Sequence, residues 1–322
     1  VHGLKSTVLN LLPTAWGWTG VELFFLISGF LIHLGFLNSN KPLNILTFYS
    51  KRFWRIYPPY LLALLFFCLV GKGINYYLHT SIGLKDLAAH VFLIHNLTDK
   101  YYYSINPSFW SLAAEIQLYL LYPVFLWIRK KWGINKALII TILIAPIFRY
   151  IGYLAMPGSQ LAQPNLVFNV WFVWCAGALL AEKYYNGEKI IKKKAGLIAA
   201  IGFTISLSVK FYAGGYFLGA LLAIFSWLAF FEWMLHAKSI NTNSILSKAM
   251  IAIGLCSYSI YLIHQPLLDN MFSWFDAMGH NWYLVFIKVI PVFMLIFCIS
   301  WILYKLIEKP SIQLGYYLRR KQ

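Results

Sequence analysis

The stretch GWTGVELFFLISGFLIHLGF, residues 17–36, decides the class of fold. From Gly20 to Leu37 only Glu22, Ser28 and His33 break an apolar run close to the roughly 20 residues that cross a hydrocarbon core. Glu22 falls in the first turn of the expected helix, where the macrodipole favours a carboxylate. Helical spacing puts Glu22, Leu26, Gly29 and His33 on one face, and Gly29 lets another backbone or a ligand approach closely. Eight further runs repeat the pattern: Pro58–Val70, Phe109–Ile128, Ala137–Ala155, Leu166–Ala181, Ala195–Val209, Tyr216–Leu235, Met250–Leu268 and Trp282–Leu306. The expected fold is therefore an all-α, polytopic transmembrane bundle of nine spans, forming a single integral-membrane domain over residues 1–322. Asp86–Leu97 is apolar but too short to cross, so it is expected at the interface or packed in protein.

The chain is 60% hydrophobic and 11% charged, where soluble domains carry about 25% charged residues. Its net charge of +17 raises the question of nucleic acid. The distribution answers it: 20 of the 27 Lys and Arg fall in alternate loops and the C-terminal tail. Positive loops stay in the cytoplasm, so the 38–57 loop and the tail after Lys305 are expected inside and the Val1–Trp18 end outside. Nucleic-acid binding needs a basic face or stripe, and topology already accounts for this charge. The chain begins at Val1 without Met, and an outer N-terminus needs a helix to deliver it. A first helix upstream and ten spans are expected of the intact protein. Cys68, Cys175, Cys256 and Cys298 lie inside apolar runs with no loop pairing, which reads as packing rather than a disulfide framework.

Ionisable groups inside spans are costly and usually face a bundle interior or a wet cavity. Arg149, Glu182, Lys210, Glu232 and Lys288 fall near expected span ends, where long side chains reach water. Glu115 is harder to place. In NPSFWSLAAEIQLYLLYP, residues 106–123, it shares a helical face with Ser111, Leu118, Tyr119 and Tyr122. A buried carboxylate needs hydrogen bonds, a cation or a proton, so Glu115 is either a strut to a neighbouring cation or part of a site. In SYSIYLIHQP, residues 257–266, Ser257, Tyr261 and His264 follow i, i+4, i+7 spacing. No GxSxG elbow, P-loop, HExxH or CxxC occurs, so hydrolase, nucleotidase and zinc-site readings lack support.

Five blocks, in order, resemble the acyltransferase 3 family of integral-membrane O-acyltransferases. They are GVELFFLISGFLI (20–32), KRFWRIYPPYLL (51–62), FWSLAAEIQLYLLYP (109–123), SYSIYLIHQPL (257–267) and IEKP (307–310). The resemblance runs over essentially the whole chain. It implies ten helices in a bacterial inner membrane and transfer of an acyl group, often acetyl from acetyl-CoA, to a sugar hydroxyl at the outer face. It also implies an essential histidine shortly before the GVE block, where His2 stands. The family's Arg or Lys one helix length earlier would precede Val1, and Glu22 stands where many members carry Asp.

On this reading His2 is the base for the acceptor hydroxyl and Glu22 orients it. Glu115 belongs to the site or its supporting network, with Ser111 and Tyr119 on its face. Tyr261 or His264 donates to the oxyanion. Arg52 and Arg55 suit the coenzyme's phosphates, because a guanidinium matches phosphate bidentately; plain positive-inside signalling is an equal reading of them. The implied partners are the bilayer, an acyl-CoA donor and a carbohydrate or glycolipid acceptor, with no metal and no nucleic acid. The competing class is a transporter, which broken helices and intramembrane acids also fit, although no repeated halves are present.

Overall fold

A computed structural model describes residues 19–159, 166–212, 216–237, 242–276 and 282–320. Every regular element among them is helical. α1 (Gly20–Ser39) ends at Asn40, which takes the left-handed conformation and donates its N–H to the Leu37 carbonyl. Four residues later the Asn44 side chain caps α2 (Ile45–Val70) by accepting from the Thr47 N–H, filling one of the orphan sites of a helix start. The loop expected over 38–57 is thus mostly helix. Pro58 and Pro59 signalled the start of an apolar run, but the helix begins thirteen residues earlier and carries both prolines in its interior.

The short helices α3 (Ile74–His79) and α4 (Ser81–Val91), with a 3₁₀ turn at His95–Leu97, fold back between α2 and α5. Here the expectation of a segment packed in protein holds for its polar core. Asp86, His90, His95 and Asn96 are buried, and Tyr60 of α2 donates to the His90 carbonyl at 2.9 Å. Next come α5 (Phe109–Trp132), α6 (Ile134–Ala155), α7 (Val167–Tyr185), α8 (Ala195–Tyr212) and α9 (Tyr216–Leu235). They are followed by α10 (Ile245–Leu255), α11 (Ser257–Asp276) and α12 (Trp282–Leu303), which runs through a π turn (Tyr304–Glu308) into α13 (Lys309–Arg320).

Among the described residues six helices are long and apolar enough to cross a membrane: α1, α2, α5, α6, α9 and the continuous α12–α13 rod. All nine expected runs are helical, but the nine-span count needs qualification. The Met250–Leu268 run is broken at Cys256, where α10 and α11 meet at 76°. α8 is a shorter apolar helix. The protein is a multi-pass membrane protein, and its lipid-facing surface carries exposed Leu, Ile, Phe and Trp throughout.

Contacts between named residues give the directions. α1, α5 and α7 run parallel, since Ser28 meets Glu115, His33 meets Tyr122 and Glu182, and Arg129 meets Glu182. α1 and α7 approach backbone to backbone. A Cβ on Gly29 would lie 2.0 Å from the Trp174 carbonyl oxygen, and one on Gly177 would lie 2.0 Å from that of Leu26. α13 runs antiparallel to α2: Ser311 donates to the Trp54 carbonyl and Arg319 reaches Ser50. Tyr185 donates to Asn40. The 40–44 loop, the α7 end and the C-terminal helix therefore share one end of the bundle, and it is the end rich in Lys and Arg.

Candidate functional site

One face of α5 carries the site. Ser111, Glu115, Leu118, Tyr119 and Tyr122 are all buried there, Glu115 at 5% exposure. Glu115 Oε1 accepts from Ser28 Oγ of α1 at 2.9 Å and from Tyr119 Oη. Trp174 Nε1 of α7 closes on the same Ser28 hydroxyl at 3.4 Å. Ser111 Oγ is hydrogen-bonded to Tyr261 Oη of α11, whose ring stacks on Phe24 at 5.6 Å. Beside it, Tyr258 Oη donates to the Ile56 carbonyl of α2 at 2.8 Å.

These groups surround a cavity of about 280 Å³ lined by Ser28, Arg52, Arg55, Glu115, Tyr119, Tyr258 and Tyr261, with apolar residues of α1 and α2 between them. Arg52 and Arg55 stand three apart on α2, two turns into the helix rather than in a loop, so one helix face carries both into the cavity. The Arg52 guanidinium lies over the Phe48 and Tyr119 rings at 5.7 and 5.6 Å, and its buried Nε has no hydrogen-bond partner. Among the described residues no carboxylate lies within 4 Å of either guanidinium. Two cations without a close counter-ion, in walls of low polarity, make a pocket for an anion. A carboxylate and three phenols in the same walls can hold or pass a proton and donate to a developing negative oxygen.

Of the nine residues singled out from the sequence, six come together here. Arg52, Arg55, Glu115, Tyr119 and Tyr261 line the cavity, and Ser111 is bonded to Tyr261. Glu22 sits in the first turn of α1, and it is Phe24, Ile27, Ser28, Leu31 and Ile32 that α1 contributes to the lining. His264 packs its ring 5.3 Å from that of Tyr261, and its Nδ1 is 2.8 Å from the Tyr261 carbonyl. It is absent from the lining. His2 lies outside the described residues. Sequence reasoning did not single out Ser28 or Tyr258, although both lie inside blocks that carry the family resemblance, 20–32 and 257–267.

A second polar cluster lies toward the basic end. Arg129 forks onto Glu182 at 3.0 and 2.8 Å. His33 bridges Glu182 (3.4 Å from Nε2) and Tyr122 Oη (3.1 Å from Nδ1). Glu182 is therefore tied inside the bundle rather than extended to water as its position in the sequence suggested. Glu232 corrects in the same direction: it is buried and accepts from the Ile190 and Ile191 amides at 2.6 and 3.0 Å. Among the described residues no three His, Cys, Asp or Glu cluster as a metal site would require.

The profile of the acyltransferase domain family (acyltransferase 3) matches residues 2–305. The peptidoglycan O-acetyltransferase OatA of Listeria monocytogenes is 26% identical over 344 residues, covering 93% of this chain and 52% of the relative. The O-acetyltransferase OatA of Staphylococcus aureus is 26% identical, covering 98% of this chain and 56% of the relative. A putative acetyltransferase of Acidianus two-tailed virus is 27% identical over 257 residues, covering 77% of this chain and 72% of that protein. The chain spans about half the length of the OatA relatives. No solved structure matches it at a significant level.

Proposed function

Because the chain belongs to the acyltransferase 3 family, we propose that it is a membrane O-acyltransferase that moves an acyl group, acetyl first among candidates, from an acyl-CoA to a hydroxyl of an envelope polysaccharide or glycolipid. The observation that carries this reading is the cavity in which two arginines without a close counter-ion meet a buried carboxylate and three tyrosines. The two guanidiniums take the donor's phosphates, and the thioester reaches past Tyr119 toward Glu115 and Tyr261. The acceptor oxygen attacks the thioester carbonyl, its proton passes to His2 with Glu22 orienting the ring, the C–S bond breaks, and the thiolate leaves to be protonated. Tyr261 donates to the oxyanion, and His264 supports it from the adjacent turn. Relatives named for O-acetyl transfer, one of them to peptidoglycan, favour a cell-wall polysaccharide as acceptor.

The basic end of the bundle is the cytoplasmic one by the positive-inside rule, which puts the C-terminus inside. We read the nine apolar runs as nine crossings of a single domain, and the membrane as a bacterial inner membrane because the family resemblance implies one. The test is purified protein in vesicles, labelled acetyl-CoA and soluble glycan fragments. Label should appear on carbohydrate with stoichiometric release of free thiol. Arg52→Gln with Arg55→Gln should weaken donor binding about 30-fold, and less at high salt because part of the interaction is screened. Donor affinity unchanged in that variant would remove the arginines from the site; no label on any glycan would break the reaction assignment.

A further inference from the structure

Glu308 is a buried carboxylate that no step above uses. It is 3% exposed and closes the π turn Tyr304–Glu308. A π turn inserts one extra residue and rotates everything beyond it, and such bulges occur often at functional sites. The rotation here turns Glu308 inward, where its Oε2 accepts from Ser259 Oγ at 2.8 Å. One turn on, Ser311 is fastened to the Trp54 carbonyl, and Gly315 lies so close to the Trp54 ring that a Cβ would meet it at 2.4 Å. The helix is thus clamped to the residue before Arg55. Ser259 follows Tyr258, which lines the arginine cavity. Arg55 acts electrostatically on both Glu115 and Glu308, from beyond ion-pair distance of either.

Glu115 thus stands in the cavity wall. Glu308 stands behind it, held through Ser259 to the turn that carries Tyr258 and through the Ser311 and Gly315 contacts to Trp54, next to Arg55. Arg52 is half-buried and Arg55 exposed at the cavity's edge, and two guanidiniums side by side with no opposing charge would hold a polyanion tightly in every state of the reaction. Uniform binding of that kind lowers KM without raising kcat, and product release limits many enzymes. From this geometry we infer that Glu308 is an affinity-setting residue, whose negative charge offsets Arg55 and keeps the hold on the donor's phosphates loose enough for the spent carrier to leave. The inference rests on the assignment of Arg52 and Arg55 to those phosphates. It has an unusual sign: removing a residue of the site strengthens binding.

The experiment measures binding of coenzyme A and of inorganic pyrophosphate to the full chain in detergent. Glu308→Gln keeps an acceptor for Ser259 and removes the charge. It should bind both probes about tenfold tighter at neutral pH, the size expected of one charge acting across several ångströms of protein, and kcat should fall as release slows. Glu308→Asp, which keeps the charge, should bind as the wild type does. Unchanged or weaker binding by a normally melting Glu308→Gln protein overturns the inference. Should that variant not fold, Arg55→Gln with Glu308→Gln removes both charges and leaves neither uncompensated. It should bind the probes more tightly than Arg55→Gln alone; equal or weaker binding overturns the inference. Failure of the donor-site reading itself looks different: the Arg52 and Arg55 variants would then leave binding of both probes unchanged.

Discussion

Two polar clusters share the face of α5, one centred on Glu115 and the other on Glu182, and they are built from the same residue types. At Glu182 every strong group has its partner: the carboxylate takes the Arg129 fork and His33, and His33 takes Tyr122. At Glu115 the carboxylate is satisfied only by hydroxyls, and the two arginines nearby have no ion-pair partner within reach. The Glu182 cluster ties its members to one another, whereas the Glu115 cluster lines a cavity. Ionic residues inside a membrane bundle are therefore read by their pairing. A closed set holds helices together, and an open set waits for something to bind.

Substitution at the two carboxylates should break this comparison if it is wrong. The largest effect is expected from Glu115→Gln. The amide retains the oxygen that Ser28 and Tyr119 address, so the melting temperature in detergent should stay near that of the wild type. Acyl transfer should fall about 1,000-fold, the size seen when one charged or polar group that faces the reacting carbonyl is removed. Normal turnover would make Glu115 a second closed strut. Glu182→Gln should do the reverse. It leaves Arg129 facing an amide, and breaking a buried pair from one side costs about 3–5 kcal/mol, with the lower end expected because Glu182 is 17% exposed. Melting should drop by several degrees, while transfer per folded molecule stays constant. Loss of transfer at unchanged stability would put the closed cluster in the mechanism.

A smaller effect sharpens the contrast with a third set, the stacked imidazoles of His90 and His95, whose rings lie 3.9 Å apart. Burial first, and then the neighbouring His90 charge, push His95 down to about 2. Unfolded, it titrates near 6.5. Its folded pKa is the lower, so the unfolded chain binds the extra proton. The contribution is whole above about pH 6.5 and is lost as pH falls below it, by about 2 kcal/mol at pH 5. His95→Phe keeps the stack and removes the titration, so its melting temperature should depend less on pH between 7 and 5. An equal dependence in both proteins would clear His95 of the effect.

Much of this was legible in the sequence because lipid imposes a simple grammar. Apolar runs gave the helices, and the lysines and arginines marked one end of the bundle. Ser111, Glu115 and Tyr119 arrive together because their helical spacing already shared a face, whereas Arg52, Arg55 and Tyr261 come to them from α2 and α11. What failed was local. Arg52 and Arg55 read as loop because Pro58 and Pro59 look like a boundary, yet neighbouring helices can support prolines inside membrane helices. Glu182 and Glu232 read as span ends because sequence gives distance along the chain and says nothing of Arg129 or of two free amides across the bundle. Glu308 stood in the block at 307–310, but its inward direction was not legible there, since a face drawn at 3.6 residues per turn is wrong once a π turn holds an extra residue.

The glycine contacts of α1 and α7 have a mechanical consequence. Gly29 and Gly177 bring the two backbones together so closely that α1 cannot turn about its axis without driving a side chain into a carbonyl. Ser28, which touches the open cluster, and His33, which touches the closed one, are five residues apart on that immobile rod, about 7.5 Å along the axis. α1 therefore behaves as a gauge block between them. One residue inserted between Ser28 and His33 would rotate everything beyond it by about 100°, so that the two clusters could no longer be seated at once.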